Sequence, residues 1–437
     1  MRRLQIVIFI ILVVSCGRNK PKAELFDDDI IETLDTISCN LLGKIVGHDI
    51  YVESDVNLKG GVCILPKGMI LCQKGGVISN GTLIGDGTKI VGGNVLFDKV
   101  IIKGTWNVSN ISTRLFANLD EVNSLRQVVA LAHPDVQNTI TIEEGDYRVK
   151  VKKNGGVCIP LRSNTTLIMN GAIQLEPNDF ERYDVIQARG KNIRICGKGS
   201  ITGDKFSHKG KCGEWGMGIN FKGAINSSVS GLTIQGCWGD CIYVGGNSKG
   251  ILIEKCVLNH GRRQGISVTK ADCVTIRDCK ISNVKGKSPQ CAIDIEPNRM
   301  DSVNRILIEN VSVEHCKGGF TVMGGRMKDG IQVSWIGSVT IRNCEVNSSW
   351  LIPVRVNSCD SLIIEKCTIY SPKCLSAISI NRTGYAEILD NAICVKHGMK
   401  ETIREIARKA TNKKDRSLIK ISNTAQIREE NNVQILH

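Results

Sequence analysis

One eight-residue phrase recurs in the second half of the chain and constrains the fold more than any other feature. It reads Ile-Leu-Ile-Glu-Lys-Cys-Val-Leu at 251–258 and returns in related form at 274–281, 306–313, 339–346 and 362–369. Repeats of this length are typical of solenoids, in which each unit buries its apolar face against its neighbours. The unequal intervals between the copies predict loops of different length at one corner of a stacked coil.

A second, shorter phrase lies between these copies. It is a pair of apolar residues with one residue between them: Ile219/Phe221, Ile242/Val244, Ile266/Val268, Ile293/Ile295, Phe320/Val322, Val354/Val356 and Ile378/Ile380. A period of two indicates a β-strand with one buried face. The middle residues are then predicted to form one outward column of Asn220, Tyr243, Ser267, Asp294, Thr321, Arg355 and Ser379. The residues two further on form a second column, which includes Lys222 and Glu296.

The 19 cysteines follow the same repeat. Cys256, Cys279, Cys344 and Cys367 occupy one position of the long phrase, and Val311 occupies it in the remaining copy. A position that accepts either Cys or Val is predicted to be small, apolar and buried. Side chains that stack in parallel have poor geometry for a disulfide, so we expect free thiols there. A disulfide elsewhere, for example at Cys212, stays open.

These repeats resemble the pectin-lyase superfamily. A predicted helix at 123–132, followed by Thr-Ile-Thr-Ile-Glu-Glu-Gly-Asp-Tyr at 139–147, resembles the N-terminal cap of such proteins. The resemblance implies an all-β fold: a single-stranded right-handed parallel β-helix over 119–396. An N-terminal β segment at 51–118 and a cap helix precede it, and a C-terminal cap or tail follows at 397–437. The superfamily contains polysaccharide lyases, hydrolases, epimerases and inert adhesins.

The first residues are predicted to be a targeting segment. Arg2 and Arg3 precede a short apolar run that ends in Val-Val-Ser-Cys at 13–16, which resembles a bacterial lipobox. We therefore expect a signal peptide at 1–15, lipidation of Cys16 and a polar leader at 16–50. This predicts a monomer anchored by lipid in the bacterial cell envelope. An ordinary signal peptide with a coincidental cysteine is the alternative.

The formal net charge of +14 predicts an acidic partner. Outside the cytoplasm that partner is an anionic polysaccharide or an anionic lipid surface. Basic residues do not interleave with aromatic ones, and no nucleic-acid-binding motif is present, so nucleic acid is not expected. The aromatic content of 4% is low for a sugar-binding surface.

The candidate active site lies on the outward columns. Asp294 and Glu296 are predicted to lie side by side, with Tyr243 two strands away and Arg262 and Arg263 in the loop before residue 266. The arginines would neutralise a sugar carboxylate, and the base would be Tyr243, His260 or Lys222 with a lowered pKa. The predicted substrate-binding residues are Lys222, Asp240, Gln264, Arg355 and Trp215. The resemblance to pectate lyases implies that Asp294 and Glu296 could instead bind Ca²⁺.

A partial resemblance to polygalacturonases keeps hydrolysis open. Gly-Asp-Cys-Ile at 239–242 is similar to their Asp-Asp-Cys-Ile strand, and His260-Gly261 follows. The first Asp is replaced by Gly239, however, and their other motifs are absent. The sequence therefore favours a lyase that acts by β-elimination on a uronate-containing glycan. The alternatives are a non-catalytic glycan-binding or structural surface lipoprotein, and a hydrolase or epimerase on the same fold.

Overall fold

A computed structural model describes residues 36–119, 124–325, 327–328, 330–348, 351–371, 376–395 and 418–436. The predicted signal peptide, the predicted lipidation site at Cys16 and residues 397–417 of the predicted C-terminal cap or tail lie outside these residues. Within the described part, no helix has the length and hydropathy needed to cross a membrane.

Residues 138–436 form a stack of coils whose strands run parallel on three faces. Face A contains Gly156–Leu161, Arg182–Ala188, Trp215–Lys222, Ile242–Gly245, Ile266–Val268, Cys291–Ile295, Gly318–Met323, the first halves of Val354–Glu365 and Ile378–Leu389, and Ile419–Ser422. Face B contains Asn138–Ile142, Thr165–Met169, Arg194–Gly197, Ile225–Ser230, Ser248–Glu254, Ala271–Arg277, Ser302–Glu309, Ser338–Arg342, the second halves of the same two long strands, and Gln426–Glu430. Face C contains Asp146–Val149, Ala172–Leu175, Ser200–Thr202, Thr233–Gln235, Val257–Asn259, Lys280–Ser282, Ser312–Cys316, Glu345–Ser348, Thr368–Ser371, Ala392–Val395 and Val433–Leu436.

Apolar ladders hold the stack together. On face A each apolar residue pairs with its equivalent in the next coil, from Ile219 through Ile242, Ile266, Ile293, Phe320 and Val354 to Ile378. On face B the ladder runs through Ile253, Ile276, Ile308, Ile341 and Ile364. All of these side chains are fully buried, or nearly so. The parallel coil predicted from the repeat is confirmed.

The cysteine ladder forms the corner between faces B and C. The residue before each cysteine, such as Asp278 or Asn343, has a positive φ near 53° and turns the chain in one step. The thiol that follows donates to the carbonyl two residues back: Cys279 to Arg277 at 3.2 Å, and likewise for Cys256, Cys344 and Cys367. All four are buried, and the 17 cysteines in the described residues are free thiols. This prediction is confirmed.

A smaller β segment precedes the stack. Its strands are Thr36–Ile37, Lys44–Val46, Asp49–Val52, Val56–Asn57, Val62–Ile64, Ile70–Gln73, Ile78–Val91, Phe97–Trp106 and Ile111–Ser112, with 3-10 helices at Cys39–Leu42 and Thr113–Leu115. Its first described strand starts at Thr36, before the expected boundary at residue 51, so residues 36–50 of the expected leader belong to it. The predicted cap helix is Ser124–Ala130, which buries Leu125 and Val128 and contacts Phe97–Trp106 and Gly156–Leu161.

The repeat does not end at residue 396, contrary to the expectation from the sequence. Beyond residue 417, Ile419–Ser422, Gln426–Glu430 and Val433–Leu436 add one strand to each of the three faces. Ile419 pairs with Ile378 and Ile421 with Ile380, so the apolar alternation of face A continues. The interval from Ile378 to Ile419 is longer than any interval between the earlier apolar pairs. For this reason the repeat pattern in the sequence did not indicate the last coil. Two further short strands, Met327–Lys328 and Ile331–Gln332, form a hairpin, and Trp335–Ile336 pairs with Ser302–Glu309.

Candidate functional site

The outward column predicted on face A is in register. Asn220, Tyr243, Ser267, Asp294, Thr321, Arg355 and Ser379 are successive pairing partners. The loops that connect face C to face A lie at this side of the stack, and their residues contact the column. The site is therefore built from a regular strand column and an irregular loop corner.

Arg263 is at the centre of a group of carboxylates. Its Nη1 lies 3.3 Å from Asp240 Oδ2, and its Nε lies 3.3 Å from Glu214 Oε2. Asp294 and Glu296 also interact electrostatically with this guanidinium. Asp240, Asp294, Glu296 and Glu214 with Arg263 are called the carboxylate cluster below. Four acids around one arginine leave an excess of negative charge.

Asp240 is completely buried in the loop before Ile242–Gly245. It accepts hydrogen bonds from the Gln264 backbone N–H at 3.1 Å, Ser267 Oγ at 2.7 Å and Arg263. Burial raises its pKa to about 6, and the opposing effect of Arg263 only partly offsets this. Asp240 was predicted to bind substrate, but it lies in the interior of the cluster and organises its neighbours.

Asp294 is 2% exposed, and its pKa lies further above the ordinary value of an aspartate than the pKa of Asp240 does. Gln264 Nε2 donates to its Oδ2 at 2.6 Å, whereas Oδ1 is buried without a hydrogen-bond partner among the described residues. Burial and the nearby charge of Glu296 together raise the pKa of Asp294 to about 7, against the opposing effect of Arg263. This carboxyl therefore keeps its proton over part of the neutral range.

The structure separates the predicted arginine pair. The Arg262 guanidinium lies 3.6 Å above the Trp238 ring and donates to the carbonyls of Gly213 and Trp238, at 2.9 and 3.2 Å. It therefore braces the loop corner, while Arg263 alone joins the carboxylates. Both residues lie in the bend before Ile266–Val268, and the packing of that loop turns only Arg263 toward the cluster.

Neither of the predicted bases Tyr243 and His260 matches its predicted role. The Tyr243 hydroxyl is 2.7 Å from Thr269 Oγ1, and burial raises its pKa instead of lowering it. His260 packs edge-on against Phe206, away from the column. Its pKa is lowered by burial and by Lys205 and Lys285, and its ring neighbour is Phe206 and not a carboxylate of the cluster.

The remaining predicted binding residues lie along the column. Lys222 and Arg355 are both exposed. Lys222 lies three coils before Asp294, and Arg355 lies two coils after it. Trp215 is 39% exposed, and the Arg182 guanidinium lies 5.1 Å from its ring centroid. Gln264, like Asp240, is buried and connects the two perturbed aspartates.

The predicted calcium ligands do not fit a metal site. Among the described residues, no group of three or more His, Cys, Asp or Glu side chains is arranged to hold a metal ion. The guanidinium of Arg263 already supplies positive charge beside Asp294 and Glu296. No step of the proposed chemistry is therefore assigned to calcium.

Sequence reasoning missed a second buried network beside the cluster. Asp204 accepts hydrogen bonds from the Tyr183 hydroxyl, from Asn178 Nδ2 at 2.9 Å and from His208 Nδ1 at 2.7 Å. His208 stacks on Trp238 with ring centroids 3.7 Å apart, on the indole that also contacts Arg262. The spacing of Asp204 and His208, four residues apart in a long loop, was the available signal.

Comparison with known families identifies the architecture. Residues 140–296 match the family described as "Right handed beta helix region". The chain is a right-handed parallel β-helix. The matched residues of this β-helix end at Glu296, so they include the whole carboxylate cluster.

Two curated relatives come from Bacillus subtilis (strain 168). The chain is 29% identical over 164 residues to "SPbeta prophage-derived uncharacterized protein YorA", covering 32% of this chain and 28% of that protein. It is 26% identical over 206 residues to "Uncharacterized protein YclG", covering 40% and 35%. The matched part thus spans about a third of the length of these relatives.

Solved structures also resemble the β-helix. The A-module of mannuronan C-5 epimerase AlgE6 from Azotobacter vinelandii has a TM-score of 0.49 and 12% identity, covering 71% of this chain and 94% of that one. A tailspike protein of the E. coli bacteriophage HK620, in complex with a pentasaccharide, has a TM-score of 0.43 and 15% identity, covering 68% and 60%.

Proposed function

We propose that this chain is a polysaccharide-active enzyme that hydrolyses an acidic glycan at the carboxylate cluster. One observation carries the proposal: Asp294 is buried beside Glu296, has a pKa raised to about 7 and has an Oδ1 with no partner among the described residues. A general acid must hold a proton at working pH and deliver it to a leaving oxygen. A carboxyl in this environment meets the first condition, and Oδ1 is the oxygen whose proton has no acceptor among the described residues.

The neighbouring groups supply the other roles. Glu296 follows Asp294 by two residues, just past the end of the strand Cys291–Ile295, and is more exposed than Asp294. In extended backbone this interval places the two side chains roughly 7 Å apart. Inverting glycosidases place their two carboxyls roughly 6.5–9.5 Å apart, with a water between sugar and base. Glu296 then acts as the base that activates water. Gln264 fixes Oδ2 of Asp294, so Oδ1 is the oxygen that would carry the transferred proton.

The preference for an acidic glycan rests on the cations along the column. Lys222 and Arg355 are separated by five coils, or about 24 Å. They flank the cluster on either side, where they can bind sugar carboxylates away from the reacting bond. The net charge of +14 adds long-range attraction for a polyanion.

The observed groups favour hydrolysis over the β-elimination expected from the sequence. Elimination needs a base for a carbon-bound proton and a free cation for the adjacent carboxylate. Burial raises the pKa of Tyr243, which disfavours its anionic form. Arg263 is already engaged by Asp240 and Glu214.

We further propose that the enzyme is anchored to the bacterial envelope through Cys16, because residues 13–16 resemble a lipobox. We also propose that it works as a monomer.

The test is a panel of polygalacturonate, alginate and hyaluronate, with dextran as a neutral control. We expect new reducing ends from at least one polyuronate without the absorbance of a new C=C bond, and no reaction with Asp294→Asn. Ser379→Ala, three coils along the same column, is the matched control and should keep full activity. Appearance of the C=C absorbance would replace hydrolysis by elimination. Binding of a polyuronate without any turnover would refute the enzyme and favour a glycan-binding protein.

A further inference from the structure

A cavity of about 500 Å³ lies at the loop corner, several coils before the carboxylate cluster. Its lining comes from the three consecutive loops that enter face A at Gly156–Leu161, Arg182–Ala188 and Trp215–Lys222. We propose that this cavity is a second glycan-binding site, which takes a carboxylate-bearing sugar unit of the same polymer. The inference rests on the proposed function for the identity of that polymer.

Charge is the first argument. Lys150, Lys152 and Lys209 line the cavity, and one acid, Asp179, stands among them. In the part of the chain that the structure describes, none of the three ammonium groups forms an ion pair. Holding like charges in one concave site is unfavourable, and a bound anion relieves that repulsion. The cavity is thus selective for a negatively charged ligand.

The wall of the cavity is fixed before any ligand binds. Asn178 is nearly fully buried, and both its backbone N–H and its Nδ2 donate to Asp204 Oδ2, at 3.2 and 2.9 Å. Its Oδ1 accepts from the Phe180 N–H at 2.9 Å, and its carbonyl accepts from the Lys209 N–H at 2.8 Å. The loop of Asn178 and the loop that carries Lys209 are therefore joined through one buried amide, and the Glu176 N–H donates to the Val149 carbonyl beside Lys150 at 2.8 Å. Such preorganisation lowers the entropic cost of binding.

The lining matches an acidic sugar better than a simple anion. The lysines can bind a carboxylate, Asp179 can accept a hydrogen bond from a sugar hydroxyl, and Phe180 presents an apolar ring to the C–H face of a pyranose. Its volume lies within the roughly 300–1,000 Å³ range of small-ligand sites. A neutral sugar would leave all three ammonium groups without a counter-charge.

Position along the stack connects this cavity to the carboxylate cluster. Four coil steps separate Arg182–Ala188 from Cys291–Ile295, or about 19 Å. A long polyuronate can therefore occupy both sites, whereas a short oligomer can occupy only one at a time. Two linked contacts raise the apparent affinity without any change at either site. Loss of the cavity lysines should consequently lower the affinity for long polymers and leave the turnover of short oligomers unchanged.

The experiment compares two triple variants of the full chain. Lys150→Met, Lys152→Met and Lys209→Met together remove the charges of the cavity and keep side-chain length. Lys255→Met, Lys280→Met and Lys366→Met remove three exposed lysines elsewhere on the stack and provide the control. Affinity is measured by calorimetry with long chains of polygalacturonate, alginate and hyaluronate. We expect the cavity variant to lose about tenfold or more in affinity for the polymer that the unmodified protein binds, with the control within about twofold.

Equal losses in both variants, no loss in the cavity variant, or no binding of any of the three polyuronates by the unmodified protein would overturn the inference. The outcome for the proposed function is separate. Lysine-dependent binding by a protein that turns over no polymer would support the cavity and refute the enzyme. Turnover with an affinity that does not depend on the cavity lysines would support the enzyme and refute the cavity.

Discussion

Two corners of the same coil are built in opposite ways. At the corner between faces B and C, a single residue turns the chain, and the thiol that follows satisfies the carbonyl left by the turn. At the corner between faces C and A, loops of varied length meet the strand column at buried polar groups, and several atoms there have no hydrogen-bond partner among the described residues, for example Asp294 Oδ1 and Gln264 Oε1. The first corner is optimised for stacking, and the second keeps unsatisfied groups that a substrate can use.

The largest expected effect is at the loop corner. Asp294→Asn removes the proton donor but keeps the shape of the side chain, so turnover should fall by about 10²–10⁴-fold. The thermal midpoint should not fall, because the substitution removes a carboxyl whose ionised form is destabilised by burial. Initial rates and thermal unfolding of this variant beside Ser379→Ala measure both. Full activity of Asp294→Asn would show that Asp294 is not the general acid and that the loop corner has only a structural role.

The pH dependence of stability should also come from this corner. The pKa of Asp294 is raised to about 7 and that of Asp240 to about 6, both above the values in the unfolded chain. The folded state therefore binds protons more tightly, and the stabilisation is lost as pH rises through about 6–7. We expect the free energy of unfolding to fall by roughly 4 kcal/mol between pH 5 and 8.

Denaturant titrations across this pH range measure the effect. Asp294→Asn should flatten the curve, since it removes the group with the larger shift. A wild-type curve that instead rises with pH over this interval would contradict the raised pKa values.

The two neighbouring arginines offer a sharper test of the site. Arg263 lowers the pKa of Asp240 and Asp294, so Arg263→Met should raise both and move the basic limb of the pH–rate profile upward by about one pH unit or more. Arg262→Met is the matched control, because Arg262 contacts Trp238 instead of the carboxylates. It should lower stability and leave the limb in place. Equal shifts in both variants would mean that the pair acts together after all.

The smallest effect is expected at the cysteine corner. Val311 already occupies this position in one coil, so Cys279→Val should change the free energy of unfolding by only about 1 kcal/mol. Cys279→Ser should cost a similar amount, because the Arg277 carbonyl that the thiol contacts at 3.2 Å remains available to a hydroxyl. Chemical unfolding measures both. A loss of several kcal/mol in either variant would show that this corner is less tolerant than the repeat indicates.

The contrast between the corners also explains what the sequence could predict. Strand register follows from a period of two, so the column through Tyr243 and Asp294 was predictable residue by residue. The direction of Arg262 and Arg263, and the burial of Asp240, depend on how irregular loops pack, and no local period encodes that. The last coil at Ile419 was missed for a related reason, since a long insertion separates it from its neighbour.

The protonation of Asp294 tests the account most directly. Carbon-13 NMR of the labelled side-chain carboxyls, as a difference between wild type and Asp294→Asn, isolates its titration. The account predicts a carboxyl that titrates near pH 7, with a shift toward lower pH when Glu296 is replaced by Gln, because Glu296 raises this pKa. A carboxyl that titrates near pH 4 and does not respond to Glu296→Gln would contradict it.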